Sequence, residues 1–263
     1  MYKNKMKIDL RLGDCLEVMK TINDKSIDAI ICDLPYGTTA CKWDTIIPFE
    51  PLWAQYKRII KDNGAIVLFG SEPFSSYLRL SNLTDYKYDL YWKKEKPTNF
   101  FQLKKRFGKC TENIILFYSK QPTYNPQKHK HKGKLVKNNP KGNHNSIVAG
   151  VNKKVFPYND DGTRYPNDIL EFRREILGTT VHPTQKPVAL LEYLIKTYTL
   201  EGETVLDNCM GSGSTGIACI NTKRNFIGIE KDDQYFEIAK NRINNHLTNG
   251  EADGQETHGL PKR

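Results

Sequence analysis

The chain has 263 residues, 40 Lys and Arg against 30 Asp and Glu, and a formal charge of +10, with 38% of positions hydrophobic. That length suits one large domain with an insert, or two small ones, and the positive excess points to a polyanion, since clustered Lys and Arg gain from releasing counterions off phosphates. No stretch approaches the ~20 apolar residues of a membrane span, and the six cysteines stand singly without a C-x-x-C pair, so a reduced, cytoplasmic protein without a disulfide framework or metal site is expected.

Residues 6–14 alternate apolar and polar positions and predict a strand ending at Gly13-Asp14. Asp14 heads a short helix over 15–22 with Leu16 and Met19 inward, and the apolar run 27–32 predicts a buried strand. Residues 48–61 place Phe49, Leu52, Trp53, Tyr56, Ile59 and Ile60 at helical spacing, and Asp62-Asn63-Gly64 reads as the stop. A buried strand follows at 65–70, a helix at 72–80, and strands at 86–92 and 113–118. From 120 to 178 apolar periodicity fades and Pro, Asn, Gly, Lys and His dominate, which marks an insert. The pattern then resumes: a helix over 187–198 with Pro187 at its start, a strand at 204–207, a helix through Cys219, a strand at 225–230 and a helix over 232–246, with a disordered tail beyond 247. Strands alternating with helices at these lengths predict an α/β doubly wound, mostly parallel, Rossmann-like sheet. The expected division is 1–119 and 179–246 as the two halves of that domain, with 120–178 between them.

Two stretches carry chemistry. Asp33-Leu34-Pro35-Tyr36 leaves the buried strand at its carboxyl end, the edge of a parallel sheet where ligands bind. A carboxylate, a backbone carbonyl stiffened by the next proline and an aromatic ring suit the grip of a planar amine; an acidic β-turn has the same composition. The second is the strand, glycine loop and helix at 204–219, with Gly211, Gly213 and Gly216 in G-x-G-x-x-G spacing, and Glu230 closing the next strand. Such glycines permit a tight turn and close backbone approach to a ligand, and the carboxylate suits ribose hydroxyls. That half alone fits a nicotinamide enzyme equally well. Paired with an amine clamp it points to group transfer onto nitrogen, since hydride transfer has no use for such a clamp.

With Asp33-Leu34-Pro35-Tyr36, Asp207 to Gly213 and His182-Pro183-Thr184-Gln185-Lys186-Pro187 in hand, the chain resembles the amino-group DNA methyltransferases of the β arrangement, in which the catalytic tetrapeptide precedes the target-recognition region and the cofactor loop comes last. The three stretches correspond to that family's D-P-P-Y, D-P-F-x-G-S-G and H-P-T-Q-K-P, and the likeness runs from Asp14 to about His246. It implies S-adenosylmethionine as donor and a flipped DNA base as acceptor, with 120–178 as the recognition insert. Asp33, Leu34, Pro35 and Tyr36 are then expected to be catalytic. Asp207, Gly211, Ser212 and Gly213 are expected on the methionine side of the cofactor, Glu230 on the ribose, Asp14 on the adenine, and Thr184, Gln185 and Lys186 near the carboxylate, with Asp33, His182 and Asn208 also against the cofactor. The Asp form of the tetrapeptide favours N6 of adenine over N4 of cytosine. Leu34 for the family's first Pro and Asn208-Cys209 for Pro-Phe are departures.

Double-stranded DNA is the expected partner, with Lys93, Lys104, Lys105, Arg106, Lys130, Lys132, Lys134, Lys153, Lys154, Arg173 and Arg174 on its phosphates. A homodimer and a companion restriction enzyme are further expectations. Rivals from other classes are a glutamine or RNA methyltransferase, which usually places its glycine loop first, a DNA-binding protein retaining the fold without catalysis, and a nicotinamide oxidoreductase.

Overall fold

The structure, a computed structural model, describes residues 6–37, 44–131, 161–174 and 185–255. In chain order these form β1 (Ile8–Leu12), α1 (Cys15–Met19), β2 (Ile27–Cys32), α2 (Phe49–Ile59), β3 (Ile60–Gly70), α3 (Phe74–Ser81), β4 (Tyr86–Lys93), β5 (Thr111–Phe117), β6 (His129–Lys130), β7 (Thr163–Arg164), β8 (Ile169–Glu171), α4 (Val188–Tyr198), β9 (Thr204–Asp207), α5 (Ser214–Asn221), β10 (Asn225–Glu230) and α6 (Asp233–Gln255).

Among the described residues the main sheet has eight strands in the order β1-β10-β9-β2-β3-β5-β4-β8. The run from β1 to β3 is parallel throughout, β5 is antiparallel to both its neighbours, and β8 joins β4 in parallel. Every position of β2 is buried, as a central parallel strand covered on both faces requires. Alternate residues feed two cores. Ala29, Ile31, Val67 and Val205 pack under α4, α5 and α6, while Ile30, Cys32, Leu68 and Leu206 pack under α1, α2 and α3. The doubly wound, mostly parallel sheet expected from the sequence is therefore present, and period-two burial is its physical basis.

Several boundaries move. β1 covers the middle of the predicted 6–14 strand, and regular helix in α1 stops at Met19, short of Ile22. α2 ends at Ile59 because Ile60 is already extended, with φ −71° and ψ 140°. Asp62-Asn63-Gly64, read as the helix stop, lies inside β3, which pairs irregularly with β2 near Ile27. α3 begins after Pro73. The last helix does not end at His246: Leu247 packs on the core and α6 continues to Gln255, with 256–263 outside the described residues.

Residues 126–167 form a second compact unit, narrower than the predicted 120–178 insert. The flanks belong to the main unit for local reasons: the Asn125 amide donates to the Thr197 carbonyl at 2.8 Å, and Leu170 is buried where β8 extends the sheet. Within the second unit β6 pairs antiparallel with β7, and the Lys128 ammonium lies 4.7 Å from the centre of the Tyr165 ring.

α5 is preceded by Gly213, whose φ of +81° lies in the left-handed region; a Cβ there would sit 3.1 Å from the Ala239 Cβ and 3.2 Å from its Cα on α6. Gly213→Ala therefore adds both backbone strain and a clash, and is expected to lower stability by about 1–3 kcal/mol, read from the urea midpoint of unfolding.

Candidate active site

β2 and β9 are parallel neighbours, with Ala29 beside Val205 and Ile30 beside Leu206. From β2 the chain crosses to β3 on one side, and from β9 to β10 on the other. Where connections diverge in this way, a crevice opens beyond the carboxyl ends of the two strands. Here it is a cavity of about 770 Å³, lined from one side by Asp33, Leu34, Pro35 and Tyr36 and from the other by Asp207, Asn208, Ser212 and Glu230. The stretches near positions 33 and 211, far apart in sequence, thus meet. Asp14, Gln185 and Lys186 line the same cavity.

The tetrapeptide is held by a set of four charges, of which Lys186 and Glu112 are buried and Asp33 and Lys94 partly so. The Lys186 ammonium donates to Asp33 Oδ2 and lies 3.0 Å from Glu112 Oε1, while the Lys94 ammonium is 2.5 Å from Glu112 Oε2. The Tyr36 hydroxyl donates to Asp33 Oδ1 at 2.6 Å and approaches Glu112 Oε1 at 3.1 Å. Phe74 stacks on the Tyr36 ring at 5.1 Å, and Lys186 sits 5.0 Å over the Phe69 ring. Two carboxylates balance two ammoniums, which is what makes withdrawing them from water tolerable. Burial lifts the Asp33 carboxyl above its usual range; Lys186 pulls it back, and Glu112 adds to the rise. Burial would also lift Glu112, but Lys186 and Lys94 outweigh it and bring Glu112 to about 2. Burial opposes the charge on Lys186, and the two carboxylates more than offset it, so the ammonium is held above its ordinary value. Burial and the same carboxylates push the Tyr36 phenol upward, leaving it a hydrogen-bond donor. No hydrogen bond reaches the Leu34 carbonyl among the described residues.

Backbone amides and small polar groups shape the opposite wall. The Gly211 amide donates to Glu230 Oε2 at 2.8 Å, and the amides of Lys231 and Asp232 donate to Oε1 at 2.8 and 2.9 Å. Gly211 has φ +51° and open space where a Cβ would be. It and Gly213 shape the loop without lining the cavity. Asp207 is buried, accepts from the Thr215 hydroxyl at 2.6 Å and the Cys209 amide at 3.1 Å, and is raised to about 6 by burial against those hydrogen bonds. Asn208 Oδ1 accepts the Tyr56 hydroxyl at 2.6 Å, and Ser212 donates to the Gln185 side-chain oxygen at 3.1 Å. Asp14 caps α1 through the Leu16 amide at 3.0 Å and meets the Lys231 ammonium at 3.0 Å; burial raises its carboxyl, but these donors leave it below the usual range. Cys15 and Cys209 line the cavity, and Cys32 is buried in the same apolar cluster. The Cys15 thiol is raised by its contact with Cys209 and by burial, and burial lifts Cys32 to about 12, so both stay protonated.

His182 and Thr184 lie outside the described residues, as do Lys132, Lys134, Lys153 and Lys154. Of the remaining predicted DNA contacts, Lys93 pairs with Glu171 at 2.7 Å, Lys130 belongs to the second unit, and Arg174 lines the cavity. Lys104, Lys105, Arg106 and Arg173 are exposed. Lys186, expected near a cofactor carboxylate, lines the cavity with its ammonium on Asp33 and Glu112. Glu112 and Lys94 were not anticipated. A carboxylate two residues before the apolar stretch 114–117, with β5 beginning at Thr111, was the available signal.

A doubly wound sheet with an acidic, glycine-turned crevice at its switch point is the architecture of the class I S-adenosylmethionine-dependent methyltransferases, to which the structural neighbours below belong. The chain belongs to the N6_N4_Mtase family of DNA methylases, whose family model matches residues 27–241. It is 28% identical over 248 residues to the DNA adenine methyltransferase YhdJ of Escherichia coli (strain K12), covering 88% of this chain and 81% of that protein. It is also 28% identical to the type II methyltransferase M2.MboI of Moraxella bovis, covering 88% and 85%. Among solved structures, the M1.HpyAVI–SAM complex matches with TM-score 0.59 and 25% identity over 90% of this chain and 99% of that one. The cytosine-N4-specific PvuII DNA methyltransferase shares the fold, with TM-score 0.61 and 14% identity, over 92% of each chain.

Glu112→Gln leaves two largely buried ammoniums with one carboxylate, a change expected to cost about 3–5 kcal/mol near pH 7. A depressed carboxyl stabilises the fold above its unfolded value, here 4.5, and that contribution is lost as pH falls toward about 2. The stability gap between Glu112→Gln and the unaltered protein should therefore narrow as urea titrations are taken from pH 6 towards 3.

Proposed function

We propose that this protein transfers the methyl group of S-adenosylmethionine to the exocyclic amine of a base turned out of double-stranded DNA, with N6 of adenine as the acceptor. The observation that carries the reading is the shared cavity: Asp33 and Leu34, whose carbonyl accepts no hydrogen bond among the described residues, line the same space as Asp207 and Glu230.

The residues of that wall fit the donor. Carboxylates at Asp14, Asp207 and Glu230 suit a molecule carrying a sulfonium, an ammonium and a ribose diol. Glu230 would take the ribose hydroxyls, Asp14 the adenine, and Asp207, Ser212 and Gln185 the methionine portion. When bound, S-adenosylmethionine supplies a methyl group on positively charged sulfur, and the electron pair of the breaking carbon–sulfur bond stays with that sulfur.

An exocyclic amine is a poor nucleophile because its lone pair is delocalised into the ring. Asp33 and the Leu34 carbonyl, each accepting one of its two hydrogens, localise that pair on nitrogen. In the structure Lys186 and the Tyr36 hydroxyl satisfy the Asp33 oxygens. Glu112 already holds Lys186 from the other side, so the ammonium keeps a carboxylate partner as the amine takes its place on Asp33. Asp33, whose proton affinity burial raises, is the first acceptor for the proton the nitrogen sheds. A stacked, paired base cannot reach this clamp, so it must leave the duplex, at a cost of a few kcal/mol. Adenine is favoured by the Asp that begins the tetrapeptide and by the relative named a DNA adenine methyltransferase.

Incubation with methyl-labelled donor and unmethylated mixed-sequence duplex DNA, followed by nucleoside analysis, should yield labelled N6-methyladenine. Labelled N4-methylcytosine would move the acceptor to cytosine, and no labelled nucleoside would overturn the reading. Asp33→Ala should lower the rate by roughly 100-fold or more, as loss of a group that acts mainly in the transition state does, while calorimetric donor affinity stays within a few-fold. If the exposed Lys104, Lys105 and Arg106 meet phosphates, replacing all three with Ala should flatten the dependence of log affinity on log salt by about one unit for each phosphate no longer neutralised.

A further inference from the structure

The loop between β4 and β5 is tied together by its own hydrogen bonds and points its apolar side chains outward. At its neck the Lys94 amide donates to the Cys110 carbonyl at 2.7 Å and the Thr98 amide to the Lys109 carbonyl at 2.9 Å. Asn99 staples the two arms, donating to the Phe107 carbonyl at 2.9 Å and accepting from the Lys109 amide at 2.6 Å. A 3-10 turn over Phe100–Gln102 fills the tip, and the Lys105 and Arg106 amides return to the Gln102 carbonyl at 2.9 and 3.0 Å. Gly108 packs on Pro97 so closely that a Cβ would lie 2.8 Å from its Cγ. Yet Phe101 is 100% exposed, Phe107 98% and Phe100 69%.

A floppy loop would turn such rings inward. This one uses its hydrogen bonds to hold them in water, where large apolar surface is unfavourable. Pre-organised exposure of this kind fits a partner that buries the rings. The charge pattern selects the partner's chemistry. Lys104, Lys105 and Arg106 lie between Phe101 and Phe107, all exposed, with no ion pair among the described residues. Flat apolar rings interleaved with cations complement stacked bases bordered by phosphates. Position agrees: Lys94 and Thr98, at the neck, line the cavity that holds Asp33.

We propose, resting on the methyl-transfer reading above, that residues 99–109 form a wedge whose Phe101 and Phe107 enter the base stack and fill the space vacated by the target base, holding it outside the duplex. Lys104, Lys105 and Arg106 anchor the wedge on the flanking phosphates. The phenylalanines act on the unpairing step, and they do not touch the reacting nitrogen.

The test first maps the methylated position on mixed-sequence DNA, then compares two oligonucleotide duplexes containing it, one with the target base paired and one with it opposite an abasic position. Single-turnover methylation by Phe101→Ala/Phe107→Ala is expected to fall at least ~10-fold on the paired duplex and to stay within ~3-fold of the unaltered protein on the other, where most of the unpairing cost is already met. Phe101→Trp should keep the paired rate. Because both rings are exposed, far-ultraviolet circular dichroism and the melting midpoint should not move. Unaltered activity of the double variant on the paired duplex, or equal loss on both duplexes, overturns the wedge. If the unaltered protein methylates neither duplex, the methyl-transfer reading fails instead.

Discussion

Much of this molecule follows from one pairing, that of β2 with β9. They are not consecutive in the chain, and the connections leaving their carboxyl ends run to opposite sides of the sheet. Parallel neighbours with diverging exits cannot cover the edge between them, and the opening becomes the cavity. Ile30 and Leu206, side by side and buried, set the register that brings Asp33 and Asp207 to one crevice. The placement is rigid because both strands are buried, and a parallel strand slipped by one residue would turn its whole apolar set to the wrong face.

On that frame the acidic groups are sorted by their surroundings. Asp33 and Asp207 are both pushed upward by burial, but Asp207 is tied inward by Thr215 and Cys209 whereas Asp33 faces the cavity under Lys186. Glu112 does the opposite work: bracketed by two ammoniums, it stays ionised and gives Lys186 a second anchor. The cluster thus couples the tetrapeptide to β5, and through Tyr36 and Phe74 to α3. A proton or an amine arriving at Asp33 is felt by all of them, since charges in a desolvated group are weakly screened.

The remaining surface divides by stiffness of presentation. The β4–β5 loop is stapled by Asn99 and displays its rings and cations in fixed positions. Glu230 is likewise fixed by three amides, so its carboxylate is already oriented. In both places backbone hydrogen bonds meet the cost of order before any partner binds, which is the general route to tighter and more selective recognition.

Local pattern in the amino-acid sequence was enough for the strands and helices of the main sheet apart from β8, for the alternation that makes it doubly wound, and for setting Asp33 and the glycine loop at strand exits, because period and glycine spacing are written along the chain. The resemblance of three short stretches supplied the family. Helix ends at Ile59 and beyond Leu247 were not legible, since they depend on pairing with β2 and on packing against the core rather than on local signals. Glu112 and Lys94 escaped for the same reason: a glutamate at a strand's start has no chemical meaning until β5 lies near Tyr36 and Lys186. What folding alone decided is which charges became neighbours, because the energy of a buried ionic group depends on distances across the sheet, and sequence spacing does not encode them.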